Sequence, residues 1–263
     1  MPAFSANLGF LFTEYPLPDA IRAAHRAGFD AVECHWPYET DPAAVREALA
    51  ETGLVMLGLN SARGDVEAGE FGLSALPGRE AQARAAIDAA FDYAEAIDAQ
   101  AVHVLAGKAP EGDARAEAAF RTALGHACDR AEAGGRTVLI EPLNGRTVPG
   151  YFLQRTDHAA SIIADSGRDC LKLMFDCFQV QMTEGDLTHR LTTLLPLIGH
   201  IQFAGVPLRG GPETGEVNYH HLFAHIDALG WRRPLGAEYV PDGPTEASLD
   251  WLHAINAQER SQS

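Results

Sequence analysis

The sequence has no unbroken apolar run of 18 residues, so it offers no segment expected to cross a membrane as a helix. It is short of positive charge: 20 Lys plus Arg stand against 36 Asp plus Glu, a formal net charge of −16. That balance opposes a polyanionic partner, either a nucleic acid or an anionic membrane surface. It does not oppose a small anionic substrate, because one local cation reverses the field at a site. Cysteine is scarce and shows no paired spacing: Cys34, Cys128, Cys170 and Cys177 contain no CxxC. Reduced thiols in a cytoplasmic protein are therefore expected. The opening stretch, Met1-Pro-Ala-Phe-Ser5, lacks a basic region followed by an apolar block, so no secretory signal is expected.

What is present centres on Thr137-Val-Leu-Ile-Glu-Pro-Leu-Asn144. Residues 137–140 are β-branched or aliphatic and uncharged, as a parallel strand covered on both faces must be. Glu141 stands where that strand ends, and Pro142 stops the ladder by removing an N–H donor. The arrangement recurs. Leu171-Lys-Leu-Met-Phe-Asp176 ends in a carboxylate, the apolar run 199–203 carries Gln202, and Pro234-Leu-Gly-Ala-Glu238 ends in a third carboxylate. The gaps between these oxygen-bearing residues are 35, 26 and 36 residues, near the roughly 30 a strand–helix–strand unit needs. One such side chain per unit, at the same place in each, is the pattern of a site at the C-terminal mouth of a parallel barrel.

The 263 residues suit one (β/α)8 TIM barrel. Strands are expected over 5–11, 31–34, 55–59, 101–105, 137–140, 171–176, 199–203 and 234–238. Helices are expected over 18–27, 41–51, 79–97, 114–133, 156–166, 187–197, 220–229 and 244–256. Gly28 and Gly53 supply stops. Asp41-Pro42 supplies an N-cap and first helical position. No composition break divides the chain, so a single domain over 1–263 is expected, frayed from about 257. Residues 60–78 form the one long irregular segment, too long to be idle in a compact domain. A lid over the mouth or a contact within a homo-oligomer is expected of it.

The chain resembles the hydroxypyruvate isomerase family, within the xylose-isomerase-like TIM barrels, over nearly its whole length. The resemblance is carried by Asn7, Phe12-Thr-Glu14, Gly28-Phe-Asp-Ala-Val-Glu33 and Gly69-Glu-Phe-Gly-Leu-Ser-Ala-Leu-Pro-Gly-Arg79. Val102-His103, Glu141-Pro-Leu-Asn144, Phe175-Asp176 and Gly199-His-Ile-Gln202 continue it. Pro207-Leu-Arg209, Gly215-Glu216 and Glu238-Tyr239 complete it.

The resemblance implies that Glu141, Asp176, Gln202 and Glu238 bind one divalent cation. The oxygen-only set suits Mg²⁺ or Mn²⁺ better than zinc or copper. It also implies that Glu141 and Glu238 transfer the proton in an isomerisation through an enediolate, taking hydroxypyruvate to tartronate semialdehyde. Arg209, Gln179, Glu216, His103 and Glu33 are the candidate substrate contacts. Arg209 suits a carboxylate held bidentately, or an ion pair with Glu216. His103, at a strand centre, also reads as a satisfied core histidine, and His200 as a support deeper in the barrel. Two positions depart from the family pattern: Gln179 stands where relatives carry His, and Gly211 where they carry Glu. An amide donates a hydrogen bond but relays no proton. The alternatives are an epimerase or dehydratase of a related ketose or inosose, and a weakened sugar-acid-binding homologue. A DNA nuclease of similar barrel type would need a histidine-rich set for several zinc ions and a basic surface, and neither is there.

Overall fold

The computed structural model describes residues 2–260. Its strands are β1 (Phe4–Asn7), β2 (Ala31–Glu33), β3 (Val55–Met56), β4 (Leu59–Asn60), β5 (Ala101–His103), β6 (Thr137–Ile140), β7 (Leu171–Asp176), β8 (Ile198–Phe203) and β9 (Leu235–Ala237). Its helices are α1 (Leu17–Ala27), α2 (Pro42–Thr52), α3 (Glu80–Ile97), α4 (Ala114–Gly134), α5 (Thr156–Ser166), α6 (Cys177–Thr183), α7 (Leu187–Leu194), α8 (Tyr219–Ala228) and α9 (Asp250–Arg260). All ladders are parallel, in the order β3-β2-β1-β9-β8-β7-β6-β5-β4.

The ends of that order are two halves of one strand position, expected as a single strand over 55–59. β3 pairs with β2 and β4 with β5. Leu57 N donates to Val32 O at 2.8 Å, while Gln100 N donates to Met56 O at 3.0 Å. One short segment therefore bonds to both neighbours, and the sheet closes into a (β/α)8 barrel. Gly58 marks the break; a Cβ there would lie 3.3 Å from the Ala101 carbonyl oxygen.

Strand alternation sorts the side chains. Phe4 and Phe203 face the helices, where Phe203 meets the rings of Phe223, Trp251 and Phe4 at 4.9, 5.4 and 5.9 Å. These contacts seat α8 and α9 on the barrel. Ala101, Leu139 and Met174 form a separate small cluster inside it. Two residues beyond each, on the same face, come His103, Glu141 and Asp176. In β8 the pairing with β7 shifts register at Leu173/Met174, leaving Gly199 as an extra residue. Such a bulge resets which side chains face inward, and His200 and Gln202 then pair beside Met174 and Asp176. A Cβ on Gly199 would lie 2.6 Å from Lys172 Cβ, so the bulge needs glycine.

Several boundaries differ from expectation. The first strand stops at Asn7 because Phe10 N and Leu11 N both turn back to its carbonyl, at 3.1 and 2.8 Å. The fourth stops at His103, since Leu105 N and Ala106 N are taken by the Ser61 and Tyr151 hydroxyls. A short helix, α6, follows β7 at once, started by Asp176, whose side chain accepts from Phe178 N at 2.8 Å. The expected helix over 187–197 becomes a 3-10 turn from Leu195, where Pro196 supplies no N–H. The last helix begins with a 3-10 turn, Thr245–Ser248, and α9 continues to Arg260. Of the tail expected to fray, 261–263 lie outside the described residues. Among the described residues no helix is long and apolar enough to cross a membrane.

Candidate active site

Every strand position brings a polar residue to the C-terminal mouth: Asn7, Glu33, Asn60, His103, Glu141, Asp176, Gln202 and Glu238. At the centre, one carboxylate oxygen each from Glu141, Asp176 and Glu238 lies within 4.8 Å of the others. All three side chains are buried. Buried carboxylates this close do not all ionise unaided.

Arg209 supplies part of the balance. Its Nη2 donates to Glu238 Oε2 at 2.5 Å and to Asp176 Oδ2 at 3.3 Å, and its Nε to the Glu238 carbonyl oxygen at 3.3 Å. Its guanidinium carbon lies 4.9 Å from the Phe10 ring centre and 4.8 Å from that of Phe178. The residue stands at φ +58°, in the left-handed region. The other oxygen of Glu238 accepts from Asn7 Nδ2 at 3.0 Å and lies 3.0 Å from His35 Nε2. Gly9 makes room for that imidazole, since a Cβ there would lie 2.1 Å from His35 Nδ1.

These contacts drive the carboxyls apart. Burial pushes Glu238 up, but the Arg209 charge and the His35 contact outweigh it and draw it down to about 2. Burial raises Asp176 to about 7, with Arg209 opposing. Glu141, pushed by burial and then by the charges of Glu238 and Asp176, stands well above the usual carboxylate range. The two glutamates are thus driven in opposite directions, Glu238 toward its ionised form and Glu141 toward its protonated one. Burial pushes His103 down to about 3, so its imidazole is neutral. Its Nδ1 is 3.6 Å from Glu141 Oε2, which is proximity without an ion pair.

Two buried oxygens of this ring accept no hydrogen bond, Glu141 Oε1 and Gln202 Oε1. Gln202 donates its amide nitrogen to Glu33 Oε1 at 3.2 Å, which leaves its oxygen uncommitted. Three carboxylates and one free amide oxygen make a hard donor set that fits a small divalent cation.

The remaining candidates fall differently. Glu33 is saturated by protein: it accepts from Asn7 Nδ2 at 3.3 Å and from Gln202, and pairs with His200. It supports Gln202 from below, with His200 behind it. Gln179 is buried, and its Oε1 accepts from Asn144 N and Nδ2 at 2.9 and 2.6 Å. Asn144 in turn accepts from Arg146 N and Thr147 N, so Gln179 fixes the loop after Glu141. Glu216 does not join the group: it is exposed and accepts from Gln181 Nε2 at 3.1 Å. Arg209 accordingly makes no ion pair with Glu216, and pairs with Asp176 and Glu238 instead. Sequence reasoning did not find His35 or Phe10. His35 lies two residues beyond Glu33, and that period-two spacing was the available signal.

The sequence matches the family model for xylose isomerase-like TIM barrels over residues 21–255. The chain belongs to the xylose isomerase-like TIM barrel family. The 2-oxo-tetronate isomerase of Cupriavidus necator is 45% identical to it, over 96% of this chain and 98% of that protein. The hydroxypyruvate isomerase of Escherichia coli is 37% identical, again over 96% and 98%. These relatives bear out the resemblance read from the residues, and the chain is an enzyme of the isomerase class. A Brucella melitensis structure described as an AP endonuclease, family 2, superposes with a TM-score of 0.91 at 35% identity, over 97% and 99% of the two chains. The 3-keto-D-glucoside 4-epimerase of E. coli, at TM-score 0.77 and 18% identity over 97% and 99%, shares the fold.

Proposed function

We propose that this isomerase interconverts a small 2-keto acid, carrying a hydroxyl on the neighbouring carbon, with the isomer in which carbonyl and hydroxyl have exchanged places. Hydroxypyruvate, giving tartronate semialdehyde, is the smallest such substrate; 2-oxo-tetronate is one carbon longer. The observation that carries the reading is the buried carboxylate trio with two uncommitted oxygens, Glu141 Oε1 and Gln202 Oε1. Glu141, Asp176, Gln202 and Glu238 would hold one divalent cation, Mg²⁺ or Mn²⁺. Bound there, such an ion would stabilise negative charge developing on the substrate's adjacent oxygens.

Glu238 is ionised at neutral pH and so serves as the base, taking the proton from the hydroxyl-bearing carbon. Glu141 is the other member of the pair, passing a proton from solvent to the neighbouring carbon. The hydroxyl proton passes to the neighbouring oxygen, so the enediolate collapses to an isomer of unchanged mass. Two carboxyls driven apart by their surroundings are the usual means of dividing acid from base. Asn7, His35 and Arg209 hold Glu238 in one orientation. Phe10 and Phe178 cover the guanidinium and keep water from it. The surplus of acidic residues opposes a nucleic-acid substrate.

Proton NMR in deuterated water tests the reading, with hydroxypyruvate and 2-oxo-tetronate as substrates and Mg²⁺ or Mn²⁺ supplied. The expected result is an isomer unchanged in composition except that deuterium replaces the proton at the reacting carbon. Glu141→Gln and Glu238→Gln should each lose at least about 10²-fold in turnover. Near wild-type turnover in either variant removes that residue from the proton path. Undiminished turnover after stripping divalent ions removes the cation.

A further inference from the structure

Arg209, the arginine the sequence offers for a substrate carboxylate, is already committed. Its Nη2 bridges Glu238 and Asp176, and its side chain is 16% exposed. Withdrawing it would leave two buried carboxylates without their counter-charge.

A second arginine stands at the other end of the same wall. Three rings run along one side of the mouth. Phe10, under Arg209, meets His35 edge-on at 5.1 Å. His35 and Trp36 have ring centres 5.0 Å apart. The guanidinium carbon of Arg63 lies 3.8 Å from the Trp36 ring centre. Arg63 is half-buried, and among the described residues no carboxylate lies within ion-pair distance of it. In a chain of net charge −16, that is a positive charge held in reserve.

The Trp36 ring and the Arg63 backbone are both tied down. Trp36 donates its indole N–H to Ser61 O at 3.0 Å. The Arg63 carbonyl accepts from Gly72 N at 2.7 Å, and Gly72 bridges to Ala106 beyond β5. Gly72 stands at φ +111°, where a Cβ would lie 2.7 Å from Leu105's carbonyl oxygen, so the anchor needs glycine. A guanidinium over a ring face spends its flat side on the ring and keeps its N–H fork at the edge. That fork matches a carboxylate bidentately.

We propose that Arg63, presented by Trp36, recognises the carboxylate of the substrate and so selects acids over neutral ketoses. The inference deepens the keto-acid reading and rests on it. It gives residues 60–78 a purpose: the loop carries the recognition residue to the rim.

The test measures binding of glycerate, an unreactive hydroxy acid, and of glycerol, its uncharged counterpart, by calorimetry on the Mg²⁺-supplied protein. Wild type should bind glycerate and barely bind glycerol. Arg63→Ala should weaken glycerate binding at least about tenfold and leave glycerol unchanged. Arg63→Lys, keeping charge without the fork, should recover part of the loss. For hydroxypyruvate, Arg63→Ala should raise KM by a similar factor, with kcat within about twofold. If Arg63→Ala binds glycerate as wild type does, the proposal is overturned while the function stands. If both ligands weaken equally in Arg63→Ala, the stack merely packs the loop and the proposal fails. Wild type that neither binds glycerate nor turns over hydroxypyruvate overturns the keto-acid reading, and this inference with it.

Discussion

Asp176→Asn isolates the electrostatics of the site. Burial lifts the Asp176 carboxyl from 3.8 to about 7, the Arg209 charge opposing. At about 1.4 kcal/mol per pH unit, that displacement amounts to on the order of 4 kcal/mol. The folded value is raised, so the stability this group contributes is fully present below 3.8 and is lost as pH rises through about 7. About half of the loss, on the order of 2 kcal/mol, falls between pH 5.5 and 8. Glu141, also raised, acts in the same direction. Asparagine keeps the oxygen that caps α6 through Phe178 N, turns an amide N–H₂ toward Arg209 in place of Oδ2, and does not titrate. Thermal melts of protein dialysed against EDTA read the difference. From pH 5.5 to 8 the Tm of wild type should fall about 4 °C or more beyond that of Asp176→Asn. Adding Mn²⁺ should raise the wild-type Tm more at pH 8 than at 5.5, because at low pH the ion must displace protons. Parallel pH profiles for the two stripped proteins would refute the reasoning.

Three other substitutions probe the supports. Gly236→Ala places a Cβ 2.4 Å from Glu33 Oε1 and 2.8 Å from Gln202 Cγ; melts should show a loss of about 1–3 kcal/mol, and Mn²⁺ titration a weaker site. Glu184→Ala removes a side chain, 1% exposed, that accepts from Thr156 N at 2.8 Å and pairs with Arg190 at 2.9 Å. Denaturant unfolding should show a loss of about 2 kcal/mol, below the roughly 3–5 kcal/mol of a fully buried pair because Arg190 reaches solvent, with kcat unchanged. Gln179→His gives up one oxygen that accepts from both Asn144 nitrogens; steady-state kinetics should show a raised KM with kcat within about threefold, and a large rise in kcat at constant KM would show that the missing proton relay matters.

The barrel was legible because its strands are buried on both faces and each ends abruptly in a polar residue. Glu141, Asp176 and Glu238 stood out for that reason, and the structure brings them within 4.8 Å. The break at Gly58 and the bulge at Gly199 were not legible, because both depend on backbone approach across strands and leave the apolar pattern intact. The helix α6 escaped notice because its start is capped by Asp176, a residue already accounted for as the end of a strand. Arg209 was seen as a candidate, but its partners were not. Glu216 is close in sequence, whereas Asp176 and Glu238 meet Arg209 only once the barrel has closed.

The placement of an amide at position 202 follows from the same charges. Glu141, Asp176 and Glu238 already crowd three carboxylates, and Glu33 lies one layer below. A fourth carboxylate at 202 would face Glu33 within hydrogen-bond distance and carry no proton to share. Glutamine resolves the conflict by having two unlike ends. Its N–H₂ satisfies Glu33 at 3.2 Å, and its oxygen accepts no hydrogen bond. Glu33 is held for this task by Asn7 and His200, and Gly236 leaves the space in which all of them meet. Glu33 and His200 therefore shape the site by deciding which end of Gln202 stays free.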